Sequence, residues 1–510
     1  MPTDSKEQTN KPDRSVNRSE RLLEMVPGLL TWFVLTSPIW LAFNVPTVMA
    51  FLILFLDIYW LYRAVKTAIL SVVGYRRMRK AVETDWMGKL EDDFPQKWQE
   101  LEHVFIIPTW RERGYIIETT FKGMSESEYP MDHVSVILCL EERDDDDIKA
   151  EKRAVAEKYR KIFKNVYVTE HPDGLVGEVI GPGSNRTWAL KHLYPQLESE
   201  MDLSKTILTT LDADFVIHPK LLSALTYKYL STDEPENKSF TGVFIYSNNY
   251  WDAPAPMRLI ASTMTINQLA ELVEHWKYVT FSSHSLNLKK LAVLDYWTID
   301  HVNDDSHLYW KAFYQTQGRF QVVPHWIPIY ADTVLDSSLK KTYVNQYKQL
   351  QRWAYGVEHI PYIIKKTLEL SGPPVIQRIE RLLYVMRANL FWATIAYVTG
   401  FGALMLVFVN STFADTVLGN NLVYYSSGLL SLAIVGLLPL ILLNSRVFPS
   451  PPKEWKLLKK ALAYLQFFLS PFVLMTFGSI PAIDSQTRLM FGKYLTYRVT
   501  RKFRKGESSE

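Results

Sequence analysis

Two pairs of carboxylates stand out in the chain as candidates for chemistry, and the first follows an apolar run. Asp212 and Asp214 lie directly after the strand-like run TILTTL (206–211), so that their side chains can face one cation. Mg²⁺ and Mn²⁺ prefer such hard oxygen ligands and keep positions for substrate phosphates. Aspartate at a strand end also commonly caps a turn or the next helix. For a lone D-x-D this alternative stays open.

The second pair, Asp304 and Asp305, lies within TIDHVNDDSHLYW (298–310). One carboxylate could take a proton from a hydroxyl while the other orients it or faces the cation. An acidic N-cap for the following helix is the favoured interpretation of this pair taken alone. The neighbouring His301 and His307 could ligate a metal, but surface or packing histidines are the favoured interpretation there too.

Two further motifs carry an arginine that could meet a phosphate. GPGSNRTWAL is a Gly/Ser/Asn loop entering a helix that carries Arg186, and loop amides plus an arginine suit a diphosphate. The motif YKQLQRWAYGVEHI, taken as a helix, places Gln349, Arg352 and Trp353 on or near one face. Arginine grips phosphates, tryptophan offers a flat platform for rings, and glutamine can hydrogen-bond to hydroxyls. Taken alone, this triplet more often indicates packing and a solvated edge.

Strand-like runs alternate with helix-like segments between the apolar ends of the chain, which predicts an α/β sheet with parallel neighbours. Ligands of such sheets bind beyond the carboxyl ends of the strands. The polar segments PTWRERGYI, EERDDDD and Asp212-Ala213-Asp214 each follow a run, so we predict that they line one crevice. The acidic run Asp144–Asp147 by itself is most simply a solvated loop. The predicted strands are 103–107, 134–140, 206–211 and 239–246.

Apolar segments at both ends of the chain predict membrane-spanning helices. Residues 25–56 contain no Asp, Glu, Lys or Arg. Three later runs each reach the roughly 20 residues needed to cross about 30 Å of hydrocarbon. Asp57 is a charge inside the second predicted span. The predicted segments are two helices at about 25–43 and 46–65, and later runs at 388–409, 422–443 and 461–480.

Basic residues predict the orientation. Arginine and lysine cluster at 14–21 and 63–80, which places both ends of the first helix pair, and the domain that follows, in the cytoplasm. A full crossing by the last run would put the C-terminus outside, whereas its basic residues favour the inside. Pro471 and Pro481 permit a broken or re-entrant segment, so we expect a cytoplasmic tail. The net charge of +3, concentrated beside apolar runs, favours lipid headgroups over nucleic acid as the partner.

In order along the chain these pieces match one pattern: a strand with PT-x-x-E, an acidic strand end, a basic loop ending in AL, D-x-D, an acidic pair, Q-x-x-R-W and membrane helices. Over about residues 100–505 the chain resembles the membrane-embedded family 2 glycosyltransferases of the cellulose synthase and hyaluronan synthase type. The ordered set D-x-D, D-D and Q-x-x-R-W is the most specific part. YRVTRK (497–502) is similar to the F-x-V-T-x-K gating loop of bacterial cellulose synthases.

The resemblance implies a GT-A-type (Rossmann-like) domain that uses a UDP-sugar and Mg²⁺ or Mn²⁺. Asp214, helped by Asp212, would hold the cation. Asp305 would be the general base on the acceptor hydroxyl, with Asp304 beside it. One base without a second carboxylate nucleophile fits a single displacement with inversion. Residues implied at the nucleotide sugar are Thr109, Glu112, Glu141, Glu142, Arg186, Asp212, Gln349, Arg352, Tyr497, Thr500 and Lys502; those implied at the acceptor are Trp353, Ser283 and His284.

We therefore expect a multipass α-helical membrane protein of the plasma (inner) membrane with a cytosolic α/β glycosyltransferase domain. The favoured activity is a processive synthase that elongates and translocates a β-linked polysaccharide. A non-processive transferase that adds one sugar to a lipid or short glycan acceptor stays open, as does an inactive scaffold or transport component. The expected parts are a disordered cytosolic tail (1–24), two transmembrane helices (25–70), the cytosolic GT-A-type domain (71–340), interfacial helices with Q-x-x-R-W (341–387), C-terminal membrane segments (388–484) and a cytosolic gating-loop-like tail (485–510).

Overall fold

The structure, a computed structural model, describes residues 17–369, 372–435 and 437–497. Most of the predicted N-terminal tail lies outside these residues, as do the predicted donor contacts Thr500 and Lys502. The strands are β1 (Glu102–Pro108), β2 (Val134–Glu141), β3 (Asn165–His171), β4 (Thr206–Thr210), β5 (Val216–Ile217), β6 (Lys238–Ile245), β7 (His284–Asn287) and β8 (Gln321–Tyr330).

The α-helices divide into long apolar ones near the chain ends and shorter ones around the strands. They are α1 (Arg18–Asn44), α2 (Pro46–Glu83), α3 (Trp86–Asp93), α4 (Gly114–Ser125), α5 (Asp146–Tyr159), α6 (Pro182–Glu200), α7 (Leu221–Leu230), α8 (Ala255–Glu271), α9 (Leu288–Val293), α10 (Asp304–Gln315), α11 (Leu339–Ala354), α12 (Ile360–Leu368), α13 (Val375–Val409), α14 (Ser411–Ala414), α15 (Val417–Val435), α16 (Leu437–Val447), α17 (Leu457–Leu465), α18 (Ser470–Val473) and α19 (Ile480–Met490).

One mixed sheet contains all the strands of the described residues, in the order β3-β2-β1-β4-β7-β6-β8-β5. The four strands β3, β2, β1 and β4 are parallel, as predicted, while β7 runs antiparallel to both of its neighbours. Every residue of β2 is buried. Such a continuous apolar run is typical of a parallel strand that is covered on both faces.

The strand register brings the predicted polar segments to one edge. Ile106 of β1 pairs with Thr210 of β4, and Pro108 pairs with Cys139 of β2, so these three strands finish side by side. The segments that follow them therefore meet beyond the carboxyl ends of the parallel strands, which is where ligands of such sheets bind. The three polar segments thus follow neighbouring strand ends at one edge of the sheet.

Five helical segments are long and apolar enough to cross a membrane, by length and composition: α1, α2, α13, α15 with α16, and a last segment, Leu457–Met490. The first begins at Arg18, inside the part predicted as a polar tail. The second runs on to Glu83, well past the predicted end, because its inner half packs on α8. A Cβ atom at Gly74 would lie 2.1 Å from Leu269 O, so glycine permits this close approach.

Four of these segments extend from the sheet domain to the opposite end of the helix bundle. At that end, Asn410 after α13 donates a hydrogen bond to Ala42 O of α1 at 2.7 Å. The chain returns to the domain after α16, where the indole of Trp251 donates to Pro449 O at 2.8 Å. Inside the bundle, Asp57 is 1% exposed and accepts from the Ser426 hydroxyl at 2.6 Å, so this carboxyl lies within the helix packing.

The last segment contacts α8 near its start and α11 near its end. Near its start, the Gln466 side chain accepts from Arg258 Nε at 2.9 Å. Near its end, Asp484 accepts from the Tyr347 hydroxyl at 3.0 Å. Between them the helix is interrupted by a 3₁₀ stretch and a π-helical stretch. A broken or re-entrant segment would give this arrangement, and it brings the tail up to Tyr497 back beside the crevice.

Candidate active site

Asp212 and Asp214 lie in the turn after β4, and neither caps a helix, because α7 begins only at Leu221. The Ser282 hydroxyl donates to Asp212 Oδ2 at 2.5 Å, and the Asp212 amide donates to Ser283 Oγ at 3.3 Å. Ser282 has a φ of 54°, a left-handed conformation that serine rarely adopts. The loop before β7, which is hydrogen-bonded to Asp212, is therefore held in an uncommon backbone conformation.

A third carboxylate, which sequence analysis missed, lies beside this pair. The amide of Asp332 donates to Asp214 Oδ2 at 3.4 Å. The side-chain amide of Asn248 joins them, with Asp332 Oδ1 at 2.9 Å and Asp214 O at 3.5 Å. Both Asp214 and Asp332 are buried. The available signal was the apolar run IPIY (327–330) at the end of β8, which Asp332 follows by two residues.

The carboxylate oxygens of the crevice suit a divalent cation. Burial raises the pKa of Glu112 to about 7, and the negative charge of Asp214 adds to that rise. Burial likewise raises the pKa of Asp305, with the charge of Asp212 adding to it. Carboxylates of the crevice thus repel one another electrostatically, which a hard cation bound between their oxygens would relieve. The residues present fit Mg²⁺ or Mn²⁺ held by Asp212 and Asp214.

The second acidic pair is held by Arg186. Asp304 and Asp305 fill the first turn of α10, whose N-cap is Asn303, so the predicted acidic N-cap is wrong. Arg186 is 1% exposed and donates through Nη2 to Asp304 and, at 3.0 Å, to Asp305 Oδ1. Its guanidinium also lies 4.3 Å from the ring centroid of Trp297. The structure places Arg186 where it orients the acidic pair.

The two acids of this pair differ in access. The Asp304 side chain is 7% exposed, and the Asp305 side chain is 16% exposed. Burial raises the pKa of Asp304 to about 6, and the charge of Asp305 adds to the rise while Arg186 opposes it. Trp297 Nε1 donates to Asp305 Oδ1 at 3.0 Å. Asp305 is therefore the more accessible carboxylate of the two.

The close packing of α6 on α10 depends on Gly183. A Cβ atom there would lie 2.5 Å from Asp304 Oδ2 and 2.8 Å from Asp304 Cβ. Gly183→Ala should displace the acidic pair and lower both the melting temperature and any activity that depends on that pair, because overpacking typically costs about 1–3 kcal/mol. Gly356→Ala, with open space around the added Cβ, is the matched control. Unchanged melting and activity in Gly183→Ala would contradict the tight fit.

The segment after β2 differs from the predicted solvated loop. Asp145, Asp146 and Asp147 are exposed around the start of α5, but Asp144 is buried. Its carboxylate pairs with Lys152 Nζ at 2.6 Å, with both side chains 0% exposed, and accepts from the Arg111 amide. The predicted solvated loop was wrong for Asp144. The sequence alone does not show that Lys152, further along α5, pairs with its carboxylate.

The indole of Trp110, after β1, lies between two arginines beside this ion pair. The guanidinium carbons of Arg111 and Arg143 are 4.3 and 4.4 Å from its ring centroid. Arg111 has a φ of 65°, another left-handed residue at the crevice. Glu112 accepts from the Trp110 amide at 2.6 Å, and the Thr109 hydroxyl donates to Cys139 O at 3.0 Å. The predicted Thr109 and Glu112 thus lie at the crevice and shape its first loop.

The two predicted glutamates at the end of β2 face different surroundings. Glu141 is buried and pairs with Arg143 Nε at 3.0 Å. Burial alone would lower the pKa of the neighbouring His171, but Glu141 and Glu178 outweigh it and raise that pKa to about 9. Glu142 is exposed and accepts from the amide of Asp173 at 2.9 Å. Glu142 thus holds the loop that lies beyond β3, while Glu141 contacts the last residue of that strand.

The Q-x-x-R-W residues lie on α11, and Arg352 reaches the tail. Its guanidinium carbon is 4.6 Å from the ring centroid of Tyr497. Among the described residues, Arg352 Nε is buried without a hydrogen-bond partner. Trp353 is half-buried and packs on an apolar cluster that includes Phe467. Gln349 accepts from a neighbouring glutamine on α11. Arg352 therefore offers a cationic donor beside the crevice.

Tyr497 covers part of the crevice. A Cβ atom at Gly181 would lie 3.1 Å from its ring, so the tail passes directly over the loop that enters α6. Burial raises the pKa of Tyr497 to about 12, and the charges of Arg352, Asp212 and Asp304 all act on its hydroxyl. The tail, α6, α10 and α11 thus converge on one polar site.

The predicted acceptor residues Ser283 and His284 lie below the crevice in this structure. Ser283 is 0% exposed and supports the Asp212 amide. His284 is 2% exposed, its Nδ1 lies 2.9 Å from Ser282 O, and burial lowers its pKa to about 4. These contacts make both residues part of the support for the Asp212 turn.

Comparison with known proteins found similar solved structures, but no matching family model or curated protein. The chain is similar to the mannosyltransferase PcManGT from Pyrobaculum calidifontis in complex with GDP-Man and Mn²⁺, with 16% identity, a TM-score of 0.43, and coverage of 76% of this chain and 99% of that one. It is also similar to TarS 1-349 of S. aureus in complex with UDP-GlcNAc, with 13% identity, a TM-score of 0.36, and coverage of 66% and 90%. Such low identities and TM-scores decide neither family nor activity.

Proposed function

We propose that the protein is a metal-dependent glycosyltransferase that moves a sugar from a nucleotide-sugar donor to a hydroxyl acceptor at a membrane surface. The observation that carries this proposal is the convergence of two acidic pairs and an arginine on one crevice beyond the parallel strands. Ser282 links Asp212 to the loop before β7, Arg186 links the acidic pair of α10 to α6, and Arg352 lies against Tyr497 of the tail. This set supplies the charges that transfer from a diphosphate requires.

Each residue has a separate task in the proposed reaction. Asp214 and Asp212 would hold the divalent cation, which when bound neutralises charge on the leaving diphosphate. Asp305 accepts the proton of the attacking hydroxyl, and Arg186 with Trp297 keeps its carboxylate in place. Arg352 donates to the departing diphosphate. One such base at the acceptor fits a single displacement with inversion.

Two features support a membrane arrangement for the protein. Five segments have the length and composition of membrane spans, and the tail returns to the crevice beside Arg352. We propose that the sheet domain and the tail face the cytoplasm, where nucleotide sugars are available, and that the protein lies in the plasma (inner) membrane. The positive-inside rule supports this orientation, since basic residues flank the ends of α1 and α2 on the domain side.

For the product, we propose a processive synthase of a β-linked polysaccharide from a UDP-sugar. The supporting feature is the position of Trp353, which packs on the apolar cluster that includes Phe467 of the last apolar segment, while its neighbour Arg352 lies against Tyr497. An acceptor sugar stacked on Trp353 would sit where the sheet domain meets the helices. Transfer of one sugar to a lipid or short glycan is the second candidate, because five spans offer few walls for a channel.

A donor panel tests the proposed activity. Full-length protein in lipid nanodiscs would be incubated with Mn²⁺ and UDP-glucose, UDP-GlcNAc, UDP-glucuronate or GDP-mannose. Release of nucleoside diphosphate together with a sized glycan product is expected for one donor. Absence of donor binding and of diphosphate release across the panel, with the protein folded, would instead favour the scaffold or transport alternative.

Trp353 and Arg352 separate polymerisation from single transfer. Trp353→Ala should shorten the product while diphosphate release persists, since loss of base- or sugar-type stacking on an aromatic ring typically costs about 1–3 kcal/mol. Trp353→Phe keeps a ring and should retain longer chains. Arg352→Ala should depress product and diphosphate release together, because the leaving group loses a cation. A wild type that adds one sugar, with Trp353→Ala lowering yield alone, would contradict processivity.

A further inference from the structure

Three histidines meet inside the protein, between the acidic pair and the Q-x-x-R-W helix. His301 precedes α10, His307 lies in its first turn, and His359 ends the 3₁₀ segment that follows α11. Their exposed fractions are 9%, 5% and 2%. One ring nitrogen from each lies within 4.8 Å of those of the other two. The sequence showed the first pair, but the fold alone brings in the third.

The spacing of one pair of ring nitrogens, from His307 and His359, fits a tetrahedral ion. His307 Nδ1 and His359 Nδ1 are 3.3 Å apart. A Zn–N bond measures about 2.0–2.1 Å, so two ligands along one edge of a zinc tetrahedron lie about 3.3–3.4 Å apart. The ring centroids of His307 and His359 are 5.3 Å apart, close to the about 5 Å that tetrahedral geometry gives two imidazoles on one zinc. The centroids of His301 and His307 are only 3.9 Å apart, so these two rings would have to turn away from each other for all three to bind one ion.

Outer partners already orient two of the rings. His301 Nδ1 lies 2.7 Å from Asp300 Oδ1, and His359 Nε2 lies 2.7 Å from Ser306 Oγ. Metal-ligating histidines typically engage the second ring nitrogen in this way, with a carboxylate as a common partner. These pairings assign His301 Nε2 and His359 Nδ1 as the ligand atoms. The carboxylate-to-histidine contact is the outer shell that a zinc-type site uses.

The ligand type separates this cluster from the acidic crevice. Imidazole nitrogens suit Zn²⁺, whereas carboxylate and water oxygens suit Mg²⁺ and Mn²⁺. Three imidazoles leave the fourth position of a tetrahedron to water. The two sites would thus select different ions, and occupation of one can be measured without the other.

We propose that His301, His307 and His359 form a site for Zn²⁺, with water as the fourth ligand, that fastens the start of α10 to the segment after Arg352. Asn303 bridges the same joint, since its amide donates to Glu358 Oε1 and its side chain donates to Arg352 O, each at 3.0 Å. An ion held by these imidazoles would fix the acidic pair relative to Arg352. Its role is positioning, and it does not depend on the proposed transfer reaction.

Metal content of the full-length protein tests this site. Protein purified in detergent without chelators should hold about one zinc per chain. After removal of zinc, Co²⁺ alone should restore visible absorption of a tetrahedral site. Asp300 is 44% exposed, so Asp300→Asn should fold normally and bind zinc about 10- to 100-fold more weakly. His307→Gln should lose the cobalt spectrum.

Two controls complete the design. His192→Gln replaces an exposed histidine and should leave zinc content unchanged. Asp214→Asn alters the acidic crevice and should also retain zinc. Wild-type protein that takes up neither Zn²⁺ nor Co²⁺, or an Asp300→Asn variant that binds zinc as tightly as wild type, would overturn the proposal and leave a hydrogen-bonded histidine cluster. If His307→Gln fails to fold, wild type and Asp300→Asn still decide the question.

Discussion

Replacing Asp305 by asparagine is expected to abolish sugar transfer while nucleotide binding persists. Asparagine has nearly the same shape and can still accept from the Trp297 indole, which donates to Asp305 Oδ1 at 3.0 Å. It cannot take a proton from the acceptor hydroxyl. Loss of a general base typically lowers the rate by about 10²–10⁴-fold, so kcat should fall by that factor. Affinity for the nucleoside diphosphate should change little, because the base acts on the acceptor.

The measurements are kcat for transfer and the Kd of the diphosphate, made on the same nanodisc preparation. Asp295→Asn is the matched control, since Asp295 is an exposed aspartate of the same domain that pairs with Lys191. If diphosphate affinity and melting temperature collapse along with kcat, then Asp305 serves structure or metal binding. In that case the ion pair with Arg186 would be the main role of the residue.

The sheet shows which features the sequence reveals. β1, β2, β4 and β6 were predicted because each is a short, largely apolar run. The other half of the sheet was missed for separate physical reasons. β8 carries Pro324 and Pro328, and proline normally argues against a central strand. β7 consists largely of polar residues whose burial depends on hydrogen bonds with neighbours, such as Ser285 with Thr209 at 2.8 Å.

In the candidate site, too, the sequence indicates some residues and hides others. The sequence made Asp212, Asp214 and the α10 pair candidates, because each pair is close in sequence and the first follows a strand-like run. Asp332 was missed, since its relation to Asp214 exists only across the β8 edge of the sheet. The task of Arg186 was also hidden. A loop entering a helix predicts an anion site, but here the anions are carboxylates of α10, brought close because Gly183 has no side chain.

Replacing Asp214 by asparagine is expected to abolish transfer and to remove the Mn²⁺ dependence of nucleotide binding. The substitution removes one negative charge from a buried position while its oxygen can still accept from the Asp332 amide, so the turn should keep its shape. Loss of an outer-shell partner of a metal typically costs about 10–100-fold in affinity or activity. Loss of a direct ligand should cost more. Titration of the diphosphate with and without Mn²⁺, followed by calorimetry, measures the effect.

The Asp332→Asn variant tests whether Asp332 is itself a ligand of the ion or only lies beside the ligands. Asp332 contacts Asp214 through its backbone amide, which the substitution leaves in place, and its side chain accepts from Asn248. If Asp214 and Asp212 hold the ion without it, Asp332→Asn should retain most of the Mn²⁺-dependent affinity while Asp214→Asn loses it. Equal losses in both variants would make Asp332 a third ligand. An Asp214→Asn protein with unchanged Mn²⁺ dependence but a lower melting temperature would reduce Asp212 and Asp214 to residues that stabilise the turn after β4.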